Sequence, residues 1–160
     1  HITSIPMHIT IAAVGRAKHK PEAELIAHYL KLTRWDITIK EIADAPSNMT
    51  ADARRAREAE GFKKLLTPQT RLFVMDSTGK SLTSEKFAAL IQDAQKNAIK
   101  HALFAIGGQD GLDGALMKQA HTSIAFGAAT WPHQLLRAML MEQLYRAYTI
   151  TIGHPYHVGH

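Results

Sequence analysis

The chain has 160 residues, of which 46% are hydrophobic and 21% charged, as expected for one globular domain that buries its own core. The sequence contains no cysteine, which excludes disulfides, thiolate nucleophiles and cysteine-ligated metal clusters. No apolar run approaches the roughly 18 residues of a membrane-spanning helix, so a membrane protein is not expected. Lys and Arg number 19 against 14 Asp and Glu, and the formal net charge of +5 is compatible with a nucleic-acid partner.

Strand-like and helix-like patterns alternate along the chain. Short β-branched or apolar runs predict strands over residues 7–14, 35–42, 71–76, 102–106 and 123–127. Helical spacing of apolar residues predicts helices over residues 21–32, 50–66, 83–98, 112–120 and 132–148. Five strand–helix pairs in succession predict an α/β fold, a parallel sheet flanked by helices on both faces.

Three short segments after the predicted strands are rich in glycine or small residues: 76–79, 107–111 and 127–132. In open α/β sheets, ligands bind outside the carboxyl ends of the strands, and small residues let the backbone approach a ligand closely. The sequence therefore predicts a cofactor cleft at this edge. The glycines of segment 107–111 fit neither the dinucleotide fingerprint nor the phosphate loop, so a plain strand-to-helix turn is an alternative for that segment.

The last predicted helix is apolar over more than the usual ~100° stripe, which suggests a second covered face and hence a second copy of the chain. Arg137, Glu142 and Arg146 lie within it, either as a salt-bridging set or as functional groups. Two basic clusters are solvated faces or phosphate contacts: Arg16, Lys18 and Lys20, and the helical set Arg54, Arg55, Arg57, Lys63 and Lys64.

The tail His154-Pro155-Tyr156-His157 is rich in imidazole. A metal site that uses it with His133 is disfavoured, because the tail has no carboxylate and the chain has no His-Glu-x-x-His motif. An acid/base or hydrogen-bonding cluster and a frayed chain end are the alternatives.

Four blocks of the C-terminal half occur in the order and spacing of one family: Ile106–Leu112 (IGGQDGL), Trp131–Arg137 (WPHQLLR), Glu142–Tyr148 (EQLYRAY) and His154–His157 (HPYH). The sequence resembles the ribosomal RNA large subunit methyltransferase H family, the small members of the SPOUT superfamily. Val14-Gly15 and Met75–Lys80 also fit, so the resemblance spans about residues 7–157. We take this span as one domain, residues 1–6 as a leader or added segment, and residues 158–160 as an altered native end or the start of a tag.

The resemblance implies a C-terminal deep trefoil knot, a homodimer, and methyl transfer from S-adenosylmethionine to N3 of a pseudouridine in 23S rRNA on assembled ribosomes, in the cytoplasm. It implies no metal. The family's cofactor residues correspond here to Met75, Gly107, Phe126, Gly127, Ala128, Ala129, Thr130 and Trp131. The residues around the target base correspond to His133, Arg137, Glu142, Arg146, Tyr156 and His157, with the tail completing the active site across the dimer.

A histidine is a suitable acceptor for the N3 proton, and His157 is the first candidate and His133 the second. Arg137 and Arg146 would hold phosphate or the developing oxyanion. Two positions depart from the family: Gln109-Asp110 stands where relatives usually have Pro-Glu, and Val158 where a basic residue follows HPYH. A knotted methyltransferase acting on tRNA and a non-catalytic ribosome-binding relative are the alternative functions.

Overall fold

The structure, a computed structural model, describes residues 7–159. The predicted leader, residues 1–6, and His160 of the predicted tail lie outside the described residues.

Five strands and five helices alternate, as the sequence predicts. The strands are β1 (His8–Val14), β2 (Asp36–Ile42), β3 (Thr70–Ser81), β4 (His101–Ile106) and β5 (Thr122–Ala125). The helices are α1 (Pro21–Leu32), α2 (Ala51–Lys63), α3 (Ser84–Lys96), α4 (Gly114–Lys118) and α5 (His133–Ile152). The strands form one parallel sheet in the order β2-β1-β4-β3-β5, which confirms the predicted α/β fold.

Each face of the sheet has its own core. Ile11 and Phe104 project to the face covered by α1, α3 and α5, whereas Val74 and Leu103 project to the face covered by α2 and α4. This alternation follows from the two-residue period of a strand. Because β1 and β4 are buried on both faces, their sequences read as nearly continuous apolar runs.

The helices follow a simple rule of handedness. On one face α1 and α3 connect strands toward the β2 edge, and on the other face α2 and α4 connect strands toward the β5 edge. All four connections therefore have the same hand, as expected for parallel strands joined by helices. Helices that follow the neighbouring strands β3 and β4 lie on opposite faces, which opens a crevice at their carboxyl ends.

Residues 76–79 are not the loop that the sequence predicts, and that prediction was wrong. Strand β3 continues to Ser81, and its register against β5 shifts between Met75 and Lys80. A Cβ on Gly79 would lie 2.6 Å from the Ser123 carbonyl carbon, so glycine is required for this close pairing. The segment is an irregular continuation of β3. A glycine in a short polar run does not distinguish such a continuation from a loop.

Helix α5 packs against both α1 and α3 as well as the sheet. The Tyr145 ring is tilted against the Tyr29 ring, with 5.8 Å between centroids, and the Tyr148 ring packs edge-on against Trp35 at 5.6 Å. The broad apolar stripe is therefore largely explained by neighbours within the same chain. The homodimer and the knot stay predictions. The helix ends four residues later than expected, at Ile152, and the following Gly153, with a φ of +74°, is its left-handed C-cap.

Candidate active site

A cavity of about 470 Å³ opens at the carboxyl ends of β3, β4 and β5, where the sequence predicts a cleft. Its walls include six of the predicted cofactor residues: Met75, Gly107, Phe126, Ala129, Thr130 and Trp131. Gly127 and Ala128 belong to the same loop but do not line the cavity. Ile106, Ile124 and Leu136 add apolar surface to the wall.

The glycine-rich segment after β4 forms a tight, fixed turn along this cavity. The Gly111 N–H donates to the Gly108 carbonyl at 3.1 Å, and Gly111 has a φ of +79°. A Cβ on Gly107 would lie 2.5 Å from the Gly111 carbonyl carbon, closer than any side chain permits. Glycine at position 107 thus brings two stretches of backbone together at the cavity wall.

Helix α2 fixes the same turn by a bidentate ion pair. Arg54 donates from Nε and Nη2 to the two Asp110 carboxylate oxygens at 2.7 and 2.9 Å, and Arg55 Nη1 donates to the Asp110 carbonyl at 3.1 Å. The Arg54 hydrogen bond holds the pKa of the Asp110 carboxyl below its ordinary value. Arg54 and Arg55 are therefore engaged with the protein's own turn, rather than being a solvated face or phosphate contacts as the sequence suggested.

The loop after β5 is closed by an indole. Trp131 Nε1 donates to the Phe126 carbonyl at 2.8 Å, and Gly127 between them has a φ of +85°. Trp131 is 39% exposed and lines the cavity while its indole holds the loop folded.

His133 lies at the junction of two cavities. It lines the 470 Å³ cavity and a second, polar cavity of about 400 Å³, together with Gln109 and Asp110. The second cavity is also bordered by Asp44 and by the buried Glu58, whose carboxylate accepts from the Ala45 N–H at 3.1 Å. His133 is thus the predicted acid/base residue that the protomer itself places against the cleft.

Arg137 is fully buried, with 0% of its surface exposed. Its guanidinium donates to Glu41 Oε2 at 3.0 Å and to the Val14 and Gly15 carbonyls, each at 3.2 Å. Burial lowers the pKa of the guanidinium, opposed by the Glu41 carboxylate. Arg137 therefore joins α5 to the carboxyl ends of β1 and β2 and lines neither cavity.

The HPYH tail folds back on α5 and is not frayed. Tyr156 donates its hydroxyl to Glu142 Oε2 at 2.7 Å, and Arg146 donates to the same carboxylate oxygen at 2.6 Å. The Arg146 guanidinium also lies 4.8 Å from the centre of the Tyr156 ring. Burial raises the pKa of the Tyr156 phenol, and the Glu142 hydrogen bond adds to this, so the phenol stays protonated.

His157 has a partner on each ring nitrogen. Its Nδ1 is 3.0 Å from Arg146 Nη1, and its Nε2 is 2.5 Å from Glu85 Oε2. Since Arg146 is always a donor, Nδ1 accepts and Nε2 carries the proton given to Glu85. The His157 hydrogen bond lowers the pKa of the Glu85 carboxyl.

Glu142 links this tail cluster to the cleft. A cavity of about 300 Å³ is bordered by Glu142 and by Phe126, and Phe126 also lines the main cavity. The structure therefore brings Glu142, Arg146, Tyr156 and His157 into one hydrogen-bonded cluster beside the cleft, while Arg137 stands apart from them.

Two partners in these networks were missed by the sequence analysis. Glu41 pairs with Arg137 across 96 residues of sequence, and Glu85 pairs with His157 across 72. Glu85 occupies the first turn of α3, where an acidic residue is common for reasons of helix stability alone. No local signal could have indicated either pairing.

Within residues 7–159, no group of three or more His, Asp or Glu side chains is placed to hold a metal ion. Across the same residues, no helix combines the length and the apolar character needed to cross a membrane.

Comparisons with known proteins agree with one another. A family model described as "Predicted SPOUT methyltransferase" matches residues 7–157. Proteins named "Ribosomal RNA large subunit methyltransferase H" from Rhodopseudomonas palustris (strain BisA53), Bradyrhizobium diazoefficiens (strain USDA 110) and Rhizobium johnstonii are each 40% identical, over 94% of this chain and 99% of their own. In fold, the chain is similar to a solved structure, a probable methyltransferase from Bordetella pertussis Tohama I.

That structural match has a TM-score of 0.57 at 14% identity and covers 89% of this chain and 96% of the other, so it supports the fold alone. The family match and the relatives cover the sheet, the cleft and the tail cluster together. This chain belongs to the SPOUT methyltransferase family.

Proposed function

We propose that this protein transfers a methyl group from S-adenosylmethionine to N3 of a pseudouridine in 23S rRNA on the assembled ribosome, acting as a homodimer in the cytoplasm. The observation that carries the proposal is the cavity beside the HPYH tail cluster, in a chain 40% identical over nearly its full length to relatives named for ribosomal RNA methylation.

The main cavity suits the cofactor in size and in the chemistry of its wall. At about 470 Å³ it lies within the range of small-molecule sites, about 300–1,000 Å³. Met75, Ile106 and Ile124 offer an apolar surface for a purine ring, and the Gly107 turn exposes backbone without side-chain obstruction. When bound, the cofactor supplies an electrophilic methyl group on a sulfonium centre.

The protein's first contribution is alignment. Methyl transfer is an in-line displacement, so fixed positions of donor and acceptor account for a large part of the rate. The Arg54–Asp110 pair and the Trp131–Phe126 hydrogen bond hold two of the cavity's walls in place before any ligand binds.

The second contribution is proton removal. N3 of pseudouridine lies between two carbonyls and carries a proton, and its loss places negative charge on the flanking oxygens. His133 stands at the cleft, whereas both ring nitrogens of His157 are engaged by Arg146 and Glu85 in the protomer. These contacts favour His133 over His157 as the acceptor, which reverses the order expected from the sequence.

The third contribution comes from the cations. Arg146 is the candidate for holding the developing oxyanion or a phosphate, because it belongs to the tail cluster beside the cleft. Arg137 acts as a positioning residue: it orders the strand ends from inside the protein. In the homodimer the tail cluster of one protomer would meet the cleft of its partner.

The test is methyl transfer from isotope-labelled S-adenosylmethionine to undermethylated ribosomes, read as 3-methylpseudouridine by nucleoside mass spectrometry. We expect signal on ribosomes and little on deproteinised rRNA. Signal on tRNA instead would favour the tRNA-directed alternative. Ribosome binding without cofactor binding or methyl transfer would favour a non-catalytic relative.

A further inference from the structure

The segment between β1 and α1 contains three exposed cations, Arg16, Lys18 and Lys20, which we call the basic loop. In the part of the chain that the structure describes, none of the three makes an ion pair, in contrast to Arg54, Arg71 and Arg137, whose side chains are paired with carboxylates. The proposed function, which this inference deepens, does not use the loop.

The backbone of the basic loop is held by three hydrogen bonds, two of them to other parts of the fold. The Ala17 N–H donates to Glu41 Oε2 at 2.7 Å, the Arg16 carbonyl accepts from Gln134 Nε2 at 3.1 Å, and the Lys20 N–H donates to the Ala17 carbonyl at 2.9 Å. The turn includes His19 in the left-handed region, with a φ of +67°. The three cations thus belong to an ordered turn.

The basic loop lies near both cavities, although its cations line neither of them. It follows β1 directly, and a Cβ on Gly15 would lie 3.5 Å from the Asp44 carboxylate of the polar cavity and 4.0 Å from the Gln134 amide. Gln134, which binds the loop, follows His133, which lines both cavities. Cations at this position therefore lie close to the site without entering its cavities.

The surrounding charge leaves the loop positive. The Glu41 carboxylate contacts the turn at the Ala17 N–H but is committed to Arg137, and Asp44 lies close to Gly15. Glu22 and Glu24 follow in the first turn of α1, where the helix dipole offsets their charge. Three exposed cations on an ordered turn, without ion pairs in the described part of the chain, fit a phosphate backbone, which binds through such contacts without reading sequence.

We infer that the basic loop binds rRNA phosphates that flank the modified nucleotide and thereby sets the affinity for the ribosome. The partner is the RNA backbone. No further domain within residues 7–159 supplies RNA contacts, so a small protomer must use the rim of its own cleft.

The test compares two variants of equal charge. The loop variant contains Arg16→Gln, Lys18→Gln and Lys20→Gln. The control variant contains Lys31→Gln, Lys96→Gln and Lys100→Gln, which removes exposed cations from the opposite, amino edge of the sheet. The three substitutions of either variant together lower the formal net charge from +5 to +2. Circular dichroism and thermal midpoints verify that both variants fold.

Binding to undermethylated ribosomes is measured for each protein as a function of salt concentration. We expect the loop variant to lose about tenfold or more in affinity at 100 mM salt, and its slope of log affinity against log salt to fall by about 2–3, since each phosphate contact contributes about 0.7–0.9. The control variant keeps the wild-type slope. Equal losses in both variants, or no loss in the loop variant, overturn the inference.

Competition separates RNA from acidic protein as the partner. Polyuridylic acid should displace the wild-type protein from ribosomes more effectively than poly-glutamate at equal charge concentration, and the reverse order overturns the assignment to phosphate. Methyl transfer by the wild type is measured on the same ribosomes. A wild type that binds through the loop yet transfers no methyl group counts against the proposed function and leaves the loop assignment intact.

Discussion

Replacing Arg137 by methionine removes a buried cation while keeping an unbranched apolar chain about as long as the aliphatic stem of arginine. Three acceptors lose their donor: the Glu41 carboxylate and the Val14 and Gly15 carbonyls. An acceptor left unsatisfied in a buried place costs about 1–3 kcal/mol, and removing one partner of a buried ion pair costs about 3–5 kcal/mol.

The Glu41 side chain limits that cost. It is 40% exposed and keeps the Ala17 N–H as a donor, so water and the backbone replace part of the lost pairing. We therefore expect Arg137→Met to lower the free energy of unfolding by about 2–4 kcal/mol, below the sum of the separate terms. The measurement is urea unfolding at a fixed protomer concentration, because association contributes to the apparent stability.

The pairing itself is isolated by a double-mutant cycle with Glu41→Gln. If Arg137 and Glu41 act through each other, the two losses are non-additive by about 0.5–3 kcal/mol. Methyl transfer should fall in Arg137→Met even under conditions where the protein is fully folded, because the strand ends that carry the cleft lose their cross-link. A loss of stability below about 1 kcal/mol, or strict additivity, would refute the positioning role.

Three further outcomes are expected. Gly107→Ala should weaken S-adenosylmethionine binding at least about tenfold by calorimetry, since its Cβ meets the Gly111 backbone at 2.5 Å, whereas Gly114→Ala, with nothing within 4 Å, should bind normally. Burial lowers the pKa of His101, so the stability that its neutral form contributes is complete above the ordinary pKa of about 6.5 and is lost as pH falls. His101→Gln should therefore flatten the dependence of the free energy of unfolding on pH between 7.5 and 5, measured with urea. An unchanged slope would contradict this. Val158 is 89% exposed, so Val158→Arg should cause no loss of stability. The same substitution should lower KM for ribosomes if a basic residue there contacts RNA, and an unchanged KM would show the position to be neutral.

The order of elements and the position of the cleft could be predicted because both follow from local pattern. A strand buried on both faces, such as β4, reads as an apolar run, and parallel strands bring their carboxyl ends to one edge whatever their order. The order of the strands within the sheet could not be predicted in this way. It depends on which face each helix covers, and no local pattern in a 13-residue helix such as α2 specifies that.

The site networks show the same division. Glu142 and Arg146 are four residues apart on one helix, so their pairing follows from helical geometry. Arg54 and Asp110 are separated by 56 residues, and only the packed fold shows that this arginine orders the turn at the cleft. The width of the apolar stripe on α5 has a partial explanation within the chain, since a helix between two others hides more of its surface than a peripheral one, and the homodimer inferred from that width stays a prediction.

The amino edge of the sheet has a polar cluster that takes no part in the cleft. His101 accepts or donates to the Thr10 and Thr70 hydroxyls at 2.8 and 3.1 Å, and His8 contacts Asp36 there. The six residues of β4 separate this cluster from the Gly107 turn by about 20 Å, at roughly 3.3 Å per residue. Changes that far apart generally combine additively. A substitution that stabilises the amino edge should therefore add its free energy of unfolding to that of a substitution at the cleft, with little coupling between the two.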